Sequence, residues 1–131
     1  LADADSGVRY WGVSGILLRG QAAVDDCRAE LRASLKDASV SVRVQAAEAL
    51  GSYGDEADLK HALATLEDVA DPTQTSVYAR IAALNAIDVL GPKAKPLHAF
   101  VRTMPKRATK VSSRVNQYVT QLQVYILSRF K

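Results

Sequence analysis

At 131 residues, 48% of them hydrophobic and 24% charged, the chain has the size of one domain and is too apolar to be intrinsically disordered. No apolar run reaches the roughly 18 residues of a membrane span, and a single cysteine, Cys27, excludes an internal disulfide framework. The net charge of +3 hides a split: residues 1–91 carry 8 basic and 14 acidic residues (net −6), whereas residues 92–131 carry 9 basic residues and no acid.

Ala and Leu fill most apolar positions, while Phe and Trp number only two and one. Both are strong helix formers, and no segment sustains the alternation of a half-buried strand, so packed helices are expected. About seven are predicted, at 6–20, 22–36, 40–53, 56–70, 76–90, 93–104 and 110–130. The second carries Val24, Cys27, Leu31 and Leu35 at helical spacing, which makes Cys27 a small buried hydrophobe rather than a nucleophile. Asp37 and Ser39 suit the start of the third, and Gly54 suits the left-handed position that ends it. Asp25-Asp26 and Asp55-Glu56-Asp58 read as helix-start clusters that complement the helix dipole. The fourth helix carries Leu59, Leu63, Leu66 and Val69, and the fifth stops at Gly91-Pro92. Leu97, Phe100, Val101 and Met104 line the sixth, which Pro105 ends, and Val115, Tyr118, Leu122 and Ile126 line the seventh.

The chain also matches itself. The stretch from Asp37 to Gly54, shifted back by 34 residues, aligns Val42-Arg43, Leu50 and Gly54 with Val8-Arg9, Ile16 and Gly20. Shifted forward by 37, it meets Ala79-Arg80, Ala86-Ile87 and Gly91, and a further 34 reaches Arg114-Val115. Such a period is expected of helix pairs that cannot bury an apolar face alone and stack into an α-solenoid. The first helix lacks a partner before it, so the chain reads as a fragment or terminal domain of something longer.

Little points to catalysis. His61 and His98 lie on different helices without metal-ligand spacing, and no phosphate-binding glycine loop follows a strand. No catalytic residue, metal or cofactor is therefore assigned, and the chain is expected not to be an enzyme. The candidate sites are surfaces. Lys93, Lys95, Arg102, Lys106, Arg107, Lys110 and Arg114 could face a polyanion or an acidic partner, and Tyr10 and Trp11, being adjacent on one helix, cannot both turn fully inward.

The unit Asp37…Val42-Arg43…Ala46-Ala47…Ala49-Leu50 resembles the HEAT repeat in its turn and second helix, and degenerate copies cover nearly the whole chain. The resemblance implies an all-α fold, a right-handed HEAT-like α-α superhelix of about three and a half repeats forming one domain over 1–131. It also implies a structural ladder of Asp3, Asp37 and Asp71 with Arg9, Arg43 and Arg80, while Arg114 has no preceding Asp. The strings Val8-Arg9-Tyr10-Trp11-Gly12, Ala83-Leu84-Asn85-Ala86-Ile87-Asp88 and Leu90-Gly91-Pro92-Lys93-Ala94 further resemble the HEAT-type extension at the carboxyl end of some bacterial arylsulfatase-like proteins. That narrower likeness covers residues 3–100 and implies a non-catalytic scaffold whose partner is an upstream hydrolase, in a periplasmic or secreted setting. The sulfatase Cys/Ser-x-Pro-x-Arg motif is not in this chain. Two alternatives stay open. One is a free-standing adaptor for another protein, and the other is a solenoid that binds nucleic acid or an acidic glycan through its basic last 40 residues.

Overall fold

The computed structural model describes residues 1–73, 75–105 and 111–130, and the fold is all-α, with no strand among them. The elements are α1 (Ser6–Arg19), α2 (Gln21–Asp26), α3 (Arg28–Ser34), α4 (Val40–Tyr53), α5 (Glu56–Ala70), α6 (Val77–Leu90), a 3-10 segment (Gly91–Leu97), α7 (His98–Thr103) and α8 (Ser113–Arg129). Polar side chains fix several starts. Asp5 accepts the backbone N–H of Gly7 and Val8, Ser76 that of Ala79, and Ser112 that of Val115. Asp55 and Asp58 form a reciprocal capping box at α5. Glycines with positive φ, Gly20 at 78° and Gly91 at 53°, end α1 and α6.

Three expectations change in detail. The helix predicted over 22–36 is divided at Cys27 (φ −110°, ψ 21°), although Cys27 N–H still donates to Ala23 O and Leu31 N–H to Cys27 O. Arg28 and Arg32 turn toward a buried aspartate on α5, so Cys27 and Leu35 are only half-buried while Val24 and Leu31 fill the core. The helix predicted over 93–104 begins as 3-10 turns, because Pro96 has no N–H to give an α-helical ladder. Gly54 is not left-handed: its φ is −76° and its backbone extended. It is glycine because a methyl there would overlap the carbonyl oxygen of Leu50 and the Cβ of Asp58.

The helices pack as two interleaved series. In one, α1 lies on α4, α4 on α6 and α6 on α8; in the other, α2–α3, α5 and the 3-10 segment with α7 fill the spaces between. Ala46, Ala47, Ala49, Ala83 and Ala86 are all but inaccessible, which lets α4 and α6 approach closely. Leu31, Leu50, Leu66, Leu84, Ile87 and Ile126 supply the bulk of one continuous core. A buried leucine of this kind removes about 2 kcal/mol worth of apolar surface from water.

Candidate binding face

Arginine–aspartate pairs brace the turns between helices. Arg9 on α1 grips Asp37 with both arms of its fork, Nε to Oδ2 at 2.7 Å and Nη2 to Oδ1 at 2.8 Å. Its Nη1 donates to the carbonyls of Asp3 and Ala4 at 2.8 and 3.0 Å, so Asp3 contributes its backbone to the brace. Asp37 also accepts the Ser39 N–H at the start of α4. The Arg9 bonds hold its carboxyl below the usual range against the opposing effect of burial.

The next step differs. Arg43 meets Asp68 at 3.5 Å instead of Asp71, and its Nε is buried without a hydrogen bond. The Asp71 carboxylate is already taken by the N–H and hydroxyl of Thr73, each at 2.8 Å. Arg80 is 2% exposed, donates from Nη1 to Pro105 O at 3.3 Å, and has an unpartnered Nε. Burial lowers its pKa, and nearby Asp71 opposes that. Arg9→Ala is therefore expected to lower stability, through the loss of a bidentate, half-shielded pair. Arg43→Ala should cost less, and chemical denaturation of both variants checks the order.

A second network escaped the sequence reading. Arg28 and Arg32, one turn apart on α3, reach across to α5, where Asp58 is fully buried. Arg28 Nη1 and Arg32 Nε each donate to its carboxylate at 2.6 Å, and Asp25 and Asp55 complete the cluster from the rim. Asp25 lies in the last turn of α2, not at a helix start. The i, i+4 arginines and the i, i+3 aspartates were the available signal, but nothing local says that they meet.

The basic candidates scatter. Lys93 spends its ammonium on the carbonyls of Gly51 and Ser52, at 3.3 and 2.6 Å, at the end of α4. Lys95, Arg102 and Arg114 are exposed, and Lys106, Arg107 and Lys110 lie outside the described residues. Arg129, not among the candidates, pairs with Asp88 at 2.8 Å.

The α1–α4–α6 series carries a polar groove of about 510 Å³, lined by Tyr10 from α1, Gln45 and Glu48 from α4 and Asn85 from α6. A second groove of about 490 Å³ continues from it through the shared Ser41 and Ala82 to Arg43 and Tyr78. Trp11 stands 71% exposed on α1 with its ring edge-on to half-buried Tyr10, centroids 5.4 Å apart, and Tyr78 is equally exposed on α6. Glu48 is half-buried and has no hydrogen-bond or ion-pair partner among the described residues, and burial pushes its carboxyl above the ordinary glutamate value. On the α5 side a shallower apolar groove of about 820 Å³ runs between Leu59, Leu63, Pro96 and Leu97. Among the described residues no group of three or more His, Cys, Asp or Glu side chains could hold a metal, and no helix is long and apolar enough to cross a membrane. No family model, curated protein or solved structure matches the chain.

Proposed function

We propose that this chain is a HEAT-like α-solenoid acting as a non-catalytic scaffold, with the α1–α4–α6 face as its interaction surface, and that it is appended to a sulfatase-like hydrolase. The observation that carries the solenoid reading is the Arg9–Asp37 brace, a bidentate bond between side chains that the 34-residue repeat singles out. Two grooves joined across three successive helices supply the surface, and repeat proteins bind along such surfaces because each unit adds a strip of face. The link to a hydrolase rests on the resemblance of the Val8–Gly12 and Ala83–Asp88 strings alone.

The test has two parts. The coding DNA upstream of Leu1, translated in frame, is expected to encode a domain with the Cys/Ser-x-Pro-x-Arg motif. A start codon just before Leu1 would instead make the chain a separate adaptor. In the whole protein, deleting residues 1–131 should leave turnover of a small aryl sulfate intact while weakening action on, or assembly with, a larger partner. Abolished turnover of the small ester by an otherwise folded enzyme would overturn the non-catalytic reading.

A further inference from the structure

We infer that the groove between α1, α4 and α6 is a receptor for an arginine side chain carried on an extended segment of a partner protein, with Glu48 as its counter-ion. This rests on the reading of that face as an interaction surface. Among the described residues Glu48 is the one charged side chain lining the groove, and its neighbours there, Tyr10, Gln45 and Asn85, are neutral. Desolvation without a compensating partner destabilises a carboxylate, and the raised pKa of Glu48 is the trace of that. Its neighbours on other faces are treated differently: Asp37, Asp58 and Asp88 each hold an arginine of this chain. Glu48 differs from the other unpaired acids in lining a groove, which leaves its carboxylate placed for a cation from outside.

Guanidinium fits better than ammonium. Gln45 on α4 and Asn85 on α6 line the groove with Glu48, and their amides carry acceptor oxygens that a planar fork of five N–H donors can use together with the carboxylate. Tyr10 adds an aromatic ring to the same lining, a partner of the kind that guanidinium groups stack on. An extended segment is indicated because the groove is open and continues past Ser41 and Ala82 toward exposed Tyr78. Arg43 in that continuation disfavours a second cation there. The net −6 of residues 1–91 attracts a basic partner as well.

The experiment uses the full 15N-labelled chain and two blocked peptides, identical except that one has arginine and the other glutamine at the centre. Amide signals of Tyr10, Gln45, Glu48 and Asn85 are expected to shift saturably with the arginine peptide at a Kd of about 1 mM or tighter. The glutamine peptide should bind at least about tenfold more weakly, and Glu48→Gln should weaken the arginine peptide by a similar factor. Because burial raises the Glu48 pKa, the folded state is penalised above the ordinary value of 4.5. Glu48→Gln should accordingly melt no lower than the parent at neutral pH, so lost binding cannot be ascribed to unfolding. No saturable shift, equal binding of both peptides, or undiminished binding by Glu48→Gln overturns the proposal. A concentration-dependent dimer abolished by Glu48→Gln, with the arginine peptide inert, would assign the groove to a second copy and overturn it too. The deletion experiment above reads the scaffold role independently, so either reading can fail without the other.

Discussion

Asp58→Ala is expected to lower the stability of the fold by about 2–3 kcal/mol, a fall in Tm of roughly 6–12 °C. Asp58 is inaccessible to water, and its two oxygens accept Arg32 Nε, Arg28 Nη1 and the Asp55 N–H at 2.6, 2.6 and 3.2 Å. Removing one member of a buried pair costs about 3–5 kcal/mol when the survivor stays buried. Here the survivors are not wholly buried: the Arg28 and Arg32 side chains are 26% and 46% exposed and keep Asp25 and Asp55. Solvent screening therefore trims the figure, while the lost arm of the capping box adds to it. Asp58→Asn, which keeps one acceptor, should cost about half as much.

The same variant has a pH signature. Burial raises the Asp58 pKa, but the bonds from Arg32, Asp55 N–H and Arg28 outweigh it, and the net displacement is downward from 3.8. A carboxyl whose folded pKa is depressed stabilises the fold above its unfolded pKa, and that contribution is lost as pH falls through the folded value. The gap in Tm between parent and Asp58→Asn should be full at neutral pH and narrow below about pH 4. A gap independent of pH would mean that the charge of Asp58 contributes nothing and that only its shape matters.

What could be read from the sequence was what neighbours along the chain decide. Asp55, Ser76 and Ser112 set helix starts by bonding N–H groups two or three residues on, and Gly20 and Gly91 set ends through their own φ. The apolar spacing within α4 and α5 reported burial for the same reason, whereas on α8 the predicted Tyr118 is exposed and Val119, Gln123 and Ile126 face the core. Contacts between distant segments were not readable. Asp58 looked like a surface cap because nothing near it in sequence shows Arg28 and Arg32 arriving from α3. Lys93 looked like a free cation because the carbonyls it meets belong to α4. Glu48, one polar residue among Ala46, Ala47 and Ala49, showed no sign of a groove that only α1 and α6 create. The repeat register brought Arg9 to Asp37, yet the same spacing did not bring Arg43 to Asp71, since the turn at Thr73 competes for that carboxylate.

Gly54→Ala should destabilise by about 2–3 kcal/mol, at the upper end of overpacking, although the backbone of Gly54 suits any residue. The reason is space. Gly54 N–H closes α4 onto Leu50 O at 2.7 Å, and α5 starts so near that Asp58 Oδ2 lies 2.8 Å from where the new methyl would sit. Leu50 O is backbone and cannot yield, so residue 54 has to shift away from it and carry the start of α5 along. Moving it draws Asp58 away from Arg28 and Arg32, and part of the cost of Gly54→Ala is then the network itself. That makes the two largest effects overlap. The double variant Gly54→Ala/Asp58→Ala should lose less than the sum of the single losses, by about 1 kcal/mol. Urea denaturation of the four proteins of this cycle measures the coupling. Strict additivity would mean that Gly54 relieves a clash with Leu50 alone and that the corner between α4 and α5 does not depend on Asp58 reaching its arginines.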